Sequence, residues 1–189
     1  MTLIAVTKGR PAEAIEALAV AGQRDFGENR VQEAVAKWPP IRARHPDVRL
    51  HMIGRLQSNK ADEAVALFDA IHSLDRPSLL AALVKAGDKA RHFPPVHVQV
   101  NIGGEEQKGG LAVADLGSFL DQVRASPLRL AGLMCIPPAG DQPGPYFALL
   151  AELARRHDVS GLSMGMSADY ETAAMLGATA VRVGTALFE

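Results

Sequence analysis

Four groups of residues in this 189-residue chain are of types, and at positions, that could do chemistry together. Lys8 ends the apolar run that starts at Leu3. A lysine at the inner rim of such a strand is partly desolvated, which lowers its pKa and frees its amine to condense with an aldehyde. An ordinary surface lysine is the alternative. Glu28 and Asn29 follow a second short run. Gly165, Met166 and Ser167 lead into a helical stretch expected from about Ala168, where free N–H groups and a hydroxyl would face an anion. Gly184 and Thr185 offer close backbone approach and a second hydroxyl. Taken singly, Ser167 is an N-cap and Gly184 a turn; taken together they read as a phosphate cradle. Arg182 puts a charge inside the last strand, two residues before Gly184. It needs a partner, and a structural ion pair with an acidic neighbour competes with a ligand contact.

Other candidates are weaker. The six histidines show no metal-ligand spacing such as HExxH, so no metal site is expected. Gly103 to Gly110 is glycine-rich but lacks the order of a P-loop and reads as a mobile loop. Cys135 reads as a small buried apolar residue rather than a nucleophile. Neither Tyr146 nor Tyr170 is placed at a reaction centre.

The elements that must carry these residues alternate from beginning to end, apolar or β-branched runs with helical patterns, as parallel βα units do. Eight strands are expected: Leu3 to Thr7, Gln23 to Gly27, Arg49 to Gly54, Ala70 to Leu74, Val96 to Ile102, Leu130 to Ile136, Gly161 to Gly165 and Ala180 to Gly184. Between them apolar residues recur at helical spacing, as in Leu79, Leu80, Leu83 and Val84. Pro11 is expected at the first helical position of the first helix and Gly22 at its C-terminal end. Strict alternation favours an α/β fold of the (β/α)8 TIM-barrel kind, with an open Rossmann-like sheet as the alternative. In such a barrel functional groups sit after the strands, and phosphate binds after strands seven and eight. The chain ends just past its eighth strand, so the last helix is expected to be absent.

Composition narrows the function. With 48% hydrophobic and 22% charged residues, the whole chain is expected to form one domain with a substantial core. Twenty basic residues face 21 acidic ones, mixed along the chain, which argues against nucleic acid as a partner. A single cysteine allows no internal disulfide, and no run is long enough for a signal peptide or a membrane span, so a cytoplasmic protein is expected.

The assembled motifs closely resemble those of the pyridoxal 5'-phosphate (PLP) homeostasis proteins of the YggS/PROSC type. They are Ala5 to Lys8, Phe26 to Glu33, His51 to Lys60, Asn101 to Glu105 with Gln107 and Lys108, Gly132 to Met134, Leu162 to Ser167 with Asp169 to Glu171, and Val181 to Phe188. The match runs through nearly the whole chain in order. It implies a fold-type-III PLP barrel, like the barrel half of alanine racemase, with Lys8 as the Schiff-base lysine. It also implies phosphate contacts from Met166, Ser167, Gly184 and Thr185, a pyridine-nitrogen contact from Arg182, and contacts near the ring from Asn29 and Met134. The function implied is custody of PLP in vitamin B6 homeostasis rather than catalysis, with PLP-dependent apo-enzymes as recipients and a monomer or weak homodimer as the assembly. Racemisation would need an acid or base on the far face of the substrate, which a racemase takes from a second domain. Two other functions compete: a PLP-dependent amino-acid racemase or lyase of the same fold type, and a phosphosugar barrel using Lys8 as an aldolase-type nucleophile. The resemblance also implies a helix before the Lys8 strand and a short tail beyond the final motif, both expected to be missing here. An exposed apolar strip and self-association are therefore expected.

Overall fold

The computed structural model describes residues 1–105 and 107–188. Each apolar run becomes a strand and each helical pattern a helix packed outside it. In chain order these are β1 (Thr2–Val6), α1 (Ala12–Val20), β2 (Asp25–Glu28), α2 (Val31–Arg44), β3 (Arg49–Met52), α3 (Ala61–Leu67), β4 (Ala70–Leu74) and α4 (Pro77–Ala90). There follow β5 (Val96–Gln99), α5 (Leu116–Arg124), β6 (Leu130–Met134), α6 (Gly144–Arg156), β7 (Leu162–Ser163), α7 (Tyr170–Met175), β8 (Ala180–Val183) and α8 (Thr185–Phe188). Every strand pairs in parallel with its sequence neighbour, and β8 closes on β1 with Ile4 opposite Arg182 and Ala5 opposite Val183. The sheet is a closed barrel, which sets aside the open alternative.

β4 spans Ala70–Leu74 as expected and β1 keeps its five residues one position earlier, whereas the other six strands are shorter than the runs predicted, as residues such as Ile53, Gly54, Asn101 and Ile136 leave the strands while still lining the mouth of the barrel. The second strand begins at Asp25, two residues later than expected. Pro11 caps α1 rather than occupying its first helical position. One helical turn, α8, follows β8 where none was expected.

Two layers of burial hold the barrel. Outward-facing strand residues meet the apolar faces of the helices: Leu79, Leu83 and Ala86 of α4 and Phe119, Leu120 and Val123 of α5 are buried there. Each large side chain removed from water contributes roughly 1.5–3 kcal/mol. Trp38 of α2 is fully buried, its ring 5.2 Å from that of Phe26. Leu3, on the outer wall of β1, stays 38% exposed, and Val20 and Met175 are exposed as well. Inside the barrel, space is made by omitting side chains. A Cβ on Gly27 would lie 2.9 Å from both Ile4 Cγ2 and Ile53 Cδ1, so that glycine lets two isoleucines fill the interior.

Candidate functional site

The C-terminal ends of β1, β2, β7 and β8 enclose a cavity of about 360 Å³. Its wall includes Lys8, Asn29, Met166, Ser167, Arg182, Gly184 and Thr185, seven of the eight residues expected at the site. Met134 is the exception: it is fully buried in β6, and Ile136, two residues on, lines the cavity instead.

Lys8 stands on a turn two residues beyond β1, and α2 pins that turn on both sides. The Lys37 ammonium donates to the Thr7 carbonyl at 2.8 Å, and the Gly9 amide donates to the Glu33 carboxylate at 2.6 Å. Gly9 takes φ 66°, a left-handed conformation that glycine adopts without cost. Beneath, the fully buried Glu28 carboxylate accepts from Thr7 Oγ1 at 2.7 Å, Trp38 Nε1 at 3.0 Å and Lys37 Nζ at 2.7 Å. Glu28 is therefore an anchor between barrel and helix, outside the cavity. Lys8 itself is exposed, so the partial desolvation expected of a rim lysine is not met. The reason is its position on the turn, past the end of the ladder.

The phosphate-cradle residues meet directly. The Gly184 amide donates to Ser167 Oγ at 3.1 Å, which joins the loops after β7 and β8. A Cβ on Gly184 would come within 3.3 Å of Val6 Cβ, so only glycine leaves that wall open. Ser167 is not an N-cap: α7 starts at Tyr170, and the Asp169 carboxylate holds the Met166 amide at 2.6 Å. Opposite, Asn29 presents a buried side-chain oxygen with no hydrogen-bond partner among the described residues. A Cβ on Gly54 would lie 2.2 Å from the Asn29 carbonyl, so the chain after β3 presses directly on Asn29. Arg10 completes the rim with its guanidinium 4.7 Å over the Phe188 ring.

Arg182 is only 4% exposed and makes no ion pair with an acid among the described residues, against one of the two readings of its charge. Its Nη1 donates to Ser163 Oγ at 2.7 Å and its Nη2 to the Cys135 carbonyl at 2.9 Å. Burial lowers its pKa to about 10, which leaves it a cation at neutral pH. Cys135 contributes only this carbonyl, since burial pushes its thiol up to about 12.

Below Arg182 the interior is polar, and sequence reading missed it by testing the histidines only for metal spacing. His72 of β4 is buried, shares a 2.8 Å hydrogen bond with Ser163 and a 3.0 Å one with His51, and stacks on His97 at 4.1 Å. The signal was a histidine in the middle of the strand Ala70–Leu74, whose alternation puts Ile71 and His72 on opposite faces of the sheet. Among the described residues no group of three His, Cys, Asp or Glu is set to hold a metal ion. The motif from His51 to Lys60 lines a second cavity of about 670 Å³, which shares Asn29 with the first and carries Arg30, Arg55, Lys60 and Arg76. The loop from Gly103 to Gly110 folds back on itself, the Asn101 side-chain amide donating to the Glu105 carbonyl at 2.8 Å; Glu106 lies outside the described residues.

The barrel is closed and parallel, with Lys8 after its first strand and Ser167 and Gly184 in contact after its last two. The family model described as alanine racemase, N-terminal domain, matches residues 1–189, and the chain belongs to this family. The pyridoxal phosphate homeostasis protein of Aquifex aeolicus (strain VF5) is 39% identical over 98% of this chain and 85% of its own. That of Pseudomonas aeruginosa is 42% identical, over 98% of this chain and 83% of its own. The solved structure of PipY from Synechococcus elongatus PCC7942 with PLP bound is 40% identical, with a TM-score of 0.91 over the whole of this chain and 92% of its own. An alanine racemase of Clostridium difficile 630 is 12% identical with a TM-score of 0.78 and has 52% of its length covered, a likeness of fold alone.

Proposed function

We propose that this protein holds PLP in the cavity beside Lys8 and serves PLP homeostasis without catalytic turnover. The observation that carries the reading is the Ser167–Gly184 contact, which sets an anion cradle across one cavity from the Lys8 amine. The residues fit the cofactor: Lys8 would hold its aldehyde end, Ser167, Gly184, Thr185 and the Met166 backbone would hold its phosphate, and Asn29 has a buried side-chain oxygen without a partner among the described residues to turn to the ring. PLP supplies a reactive aldehyde and an electron-withdrawing ring. Arg182, a cation that donates hydrogen bonds and holds on to its proton, would leave a ring nitrogen facing it unprotonated, so the ring would be a weak electron sink and transamination disfavoured. Among the described lining residues the titratable groups are Lys8, Arg10 and Arg182, and no carboxylate, imidazole or phenol stands by as a second acid or base. Proton transfer on a bound amino acid therefore lacks a partner for Lys8.

The names of the relatives and the PLP-bound PipY structure support this reading. We extend it to a cytoplasmic monomer or weak homodimer that passes PLP to apo-enzymes. Among the described residues no helix is long and apolar enough to cross a membrane. Borohydride reduction followed by intact mass measurement tests the core claim: a PLP-sized adduct on Lys8 is expected. A sugar-phosphate adduct in its place, or chiral turnover of amino acids lost in Lys8→Ala, would overturn it.

A further inference from the structure

We propose that Ser163 and His72 are positioning residues for Arg182, the inner end of a directed hydrogen-bond chain that runs down the barrel through His51 to Asp25. The links are Arg182 Nη1 to Ser163 Oγ at 2.7 Å, Ser163 Oγ to His72 Nδ1 at 2.8 Å, His72 Nε2 to His51 Nδ1 at 3.0 Å and His51 Nε2 to Asp25 Oδ1 at 2.9 Å. Arg49 closes the far end on Asp25 Oδ2 at 2.6 Å.

The two ends dictate the direction. A guanidinium only donates, and an ionised carboxylate only accepts. Burial works to raise the Asp25 carboxyl, but hydrogen bonds from His51 and Arg49 outweigh it and hold the group below the usual carboxylate range. His51 must then carry its proton on Nε2 and accept on Nδ1. His72 donates from Nε2 and accepts on Nδ1, so the Ser163 hydroxyl points its proton at His72 and its lone pairs at Arg182. Every donor and acceptor in the chain is used once, with both imidazoles neutral. Reversing it would need a second proton on His51 or one on Asp25. Two of the guanidinium's N–H bonds are thus fixed, one by Ser163 and one by the Cys135 carbonyl, and the rest remain for the cavity. A buried polar chain satisfied in this way is rigid, which is what a group aimed at a flat ring requires.

The inference rests on the PLP reading for its purpose and not for its geometry, so two measurements separate them. Long-range proton–nitrogen NMR of the full-length protein at pH 7 is expected to show His51 and His72 both protonated on Nε2; a proton on His72 Nδ1 overturns the chain. With PLP, Ser163→Ala is expected to lose about tenfold in affinity and to shift the visible absorption maximum, while its affinity for inorganic phosphate stays within about twofold. Ser163→Thr, which keeps the hydroxyl, restores both. Wild-type protein that binds PLP beside an indifferent Ser163→Ala overturns the positioning role alone. Wild-type protein that takes no PLP overturns the custody reading and the purpose of the chain with it.

Discussion

The two ends of the barrel interior are built from opposite materials. At the C-terminal mouth the walls mix Val6, Ile53, Ile136 and Met166 with the small hydroxyls of Ser167 and Thr185 and one glycine, Gly184, and among the described lining residues the buried charge is Arg182. At the N-terminal mouth a cavity of about 380 Å³ is lined by Asp25, Arg49, His51, His72, His97 and Arg129. One end sets Lys8 among small and apolar side chains; the other gathers titratable side chains, of which Asp25, Arg49, His51 and His72 hydrogen-bond in sequence while His97 Nδ1 is buried without a partner among the described residues. The difference teaches that polarity alone does not mark the ligand site of a barrel. The richer set of titratable groups lies at the end where stability is decided, and the site is recognised by what was left out.

Lys8→Ala acts on the open end with the largest effect, complete loss of the visible band of covalently held PLP in an absorbance titration, with the fold intact because Lys8 is exposed. Acid acts on the N-terminal end. Burial first, and then the neighbouring cations Arg182 and Arg129, lowers His97 to about 3, and burial takes His72 well below its usual value, where a proton would also meet Arg182. The unfolded chain protonates both near pH 6.5 while the folded one does not, so stability is full above pH 6.5 and falls as pH is lowered towards 3. Each histidine contributes a slope of about 1.4 kcal/mol per pH unit, to be read from urea midpoints across that range. A flat profile would mean that the histidines are hydrated in the fold.

Gly184→Val returns to the open end, filling the gap against Val6, and PLP affinity is expected to fall about tenfold, or about 1.4 kcal/mol, with little change in melting temperature. The smallest effect belongs to Asp25→Asn, which keeps an acceptor at the end of the chain and is expected to cost about 1 kcal/mol of stability in urea while leaving the PLP band in place. If Asp25→Asn abolished that band, the division between the two ends would fail.

The barrel was legible because each apolar run of parallel strand is bounded by loop residues, and the order of eight such runs leaves few topologies. The meeting of Ser167 and Gly184 was legible because both fall after the strands where such barrels gather their functional groups. Arg182 was seen as a charge in need of a partner, either an acidic neighbour or a ligand. The actual partners, a serine on β7 and a carbonyl after β6, are neighbours only across the closed sheet. His72 and His51 were passed over for the same reason: their meaning lies in register between strands, which no local pattern encodes. The exposure of Lys8 depends on where the ladder ends, and residues beyond the last paired strand position keep the same apolar signature as those within it.

The mount of Lys8 has a kinetic consequence. With the Thr7 carbonyl and the Gly9 amide both tied to α2, the backbone around the lysine has little left to order when cargo arrives and little to release when it leaves. What moves is a four-carbon stem swinging from a fixed base. Loading and unloading then cost side-chain rotamer freedom alone, and their speed is set by the bond chemistry and by access through the open mouth rather than by any gate.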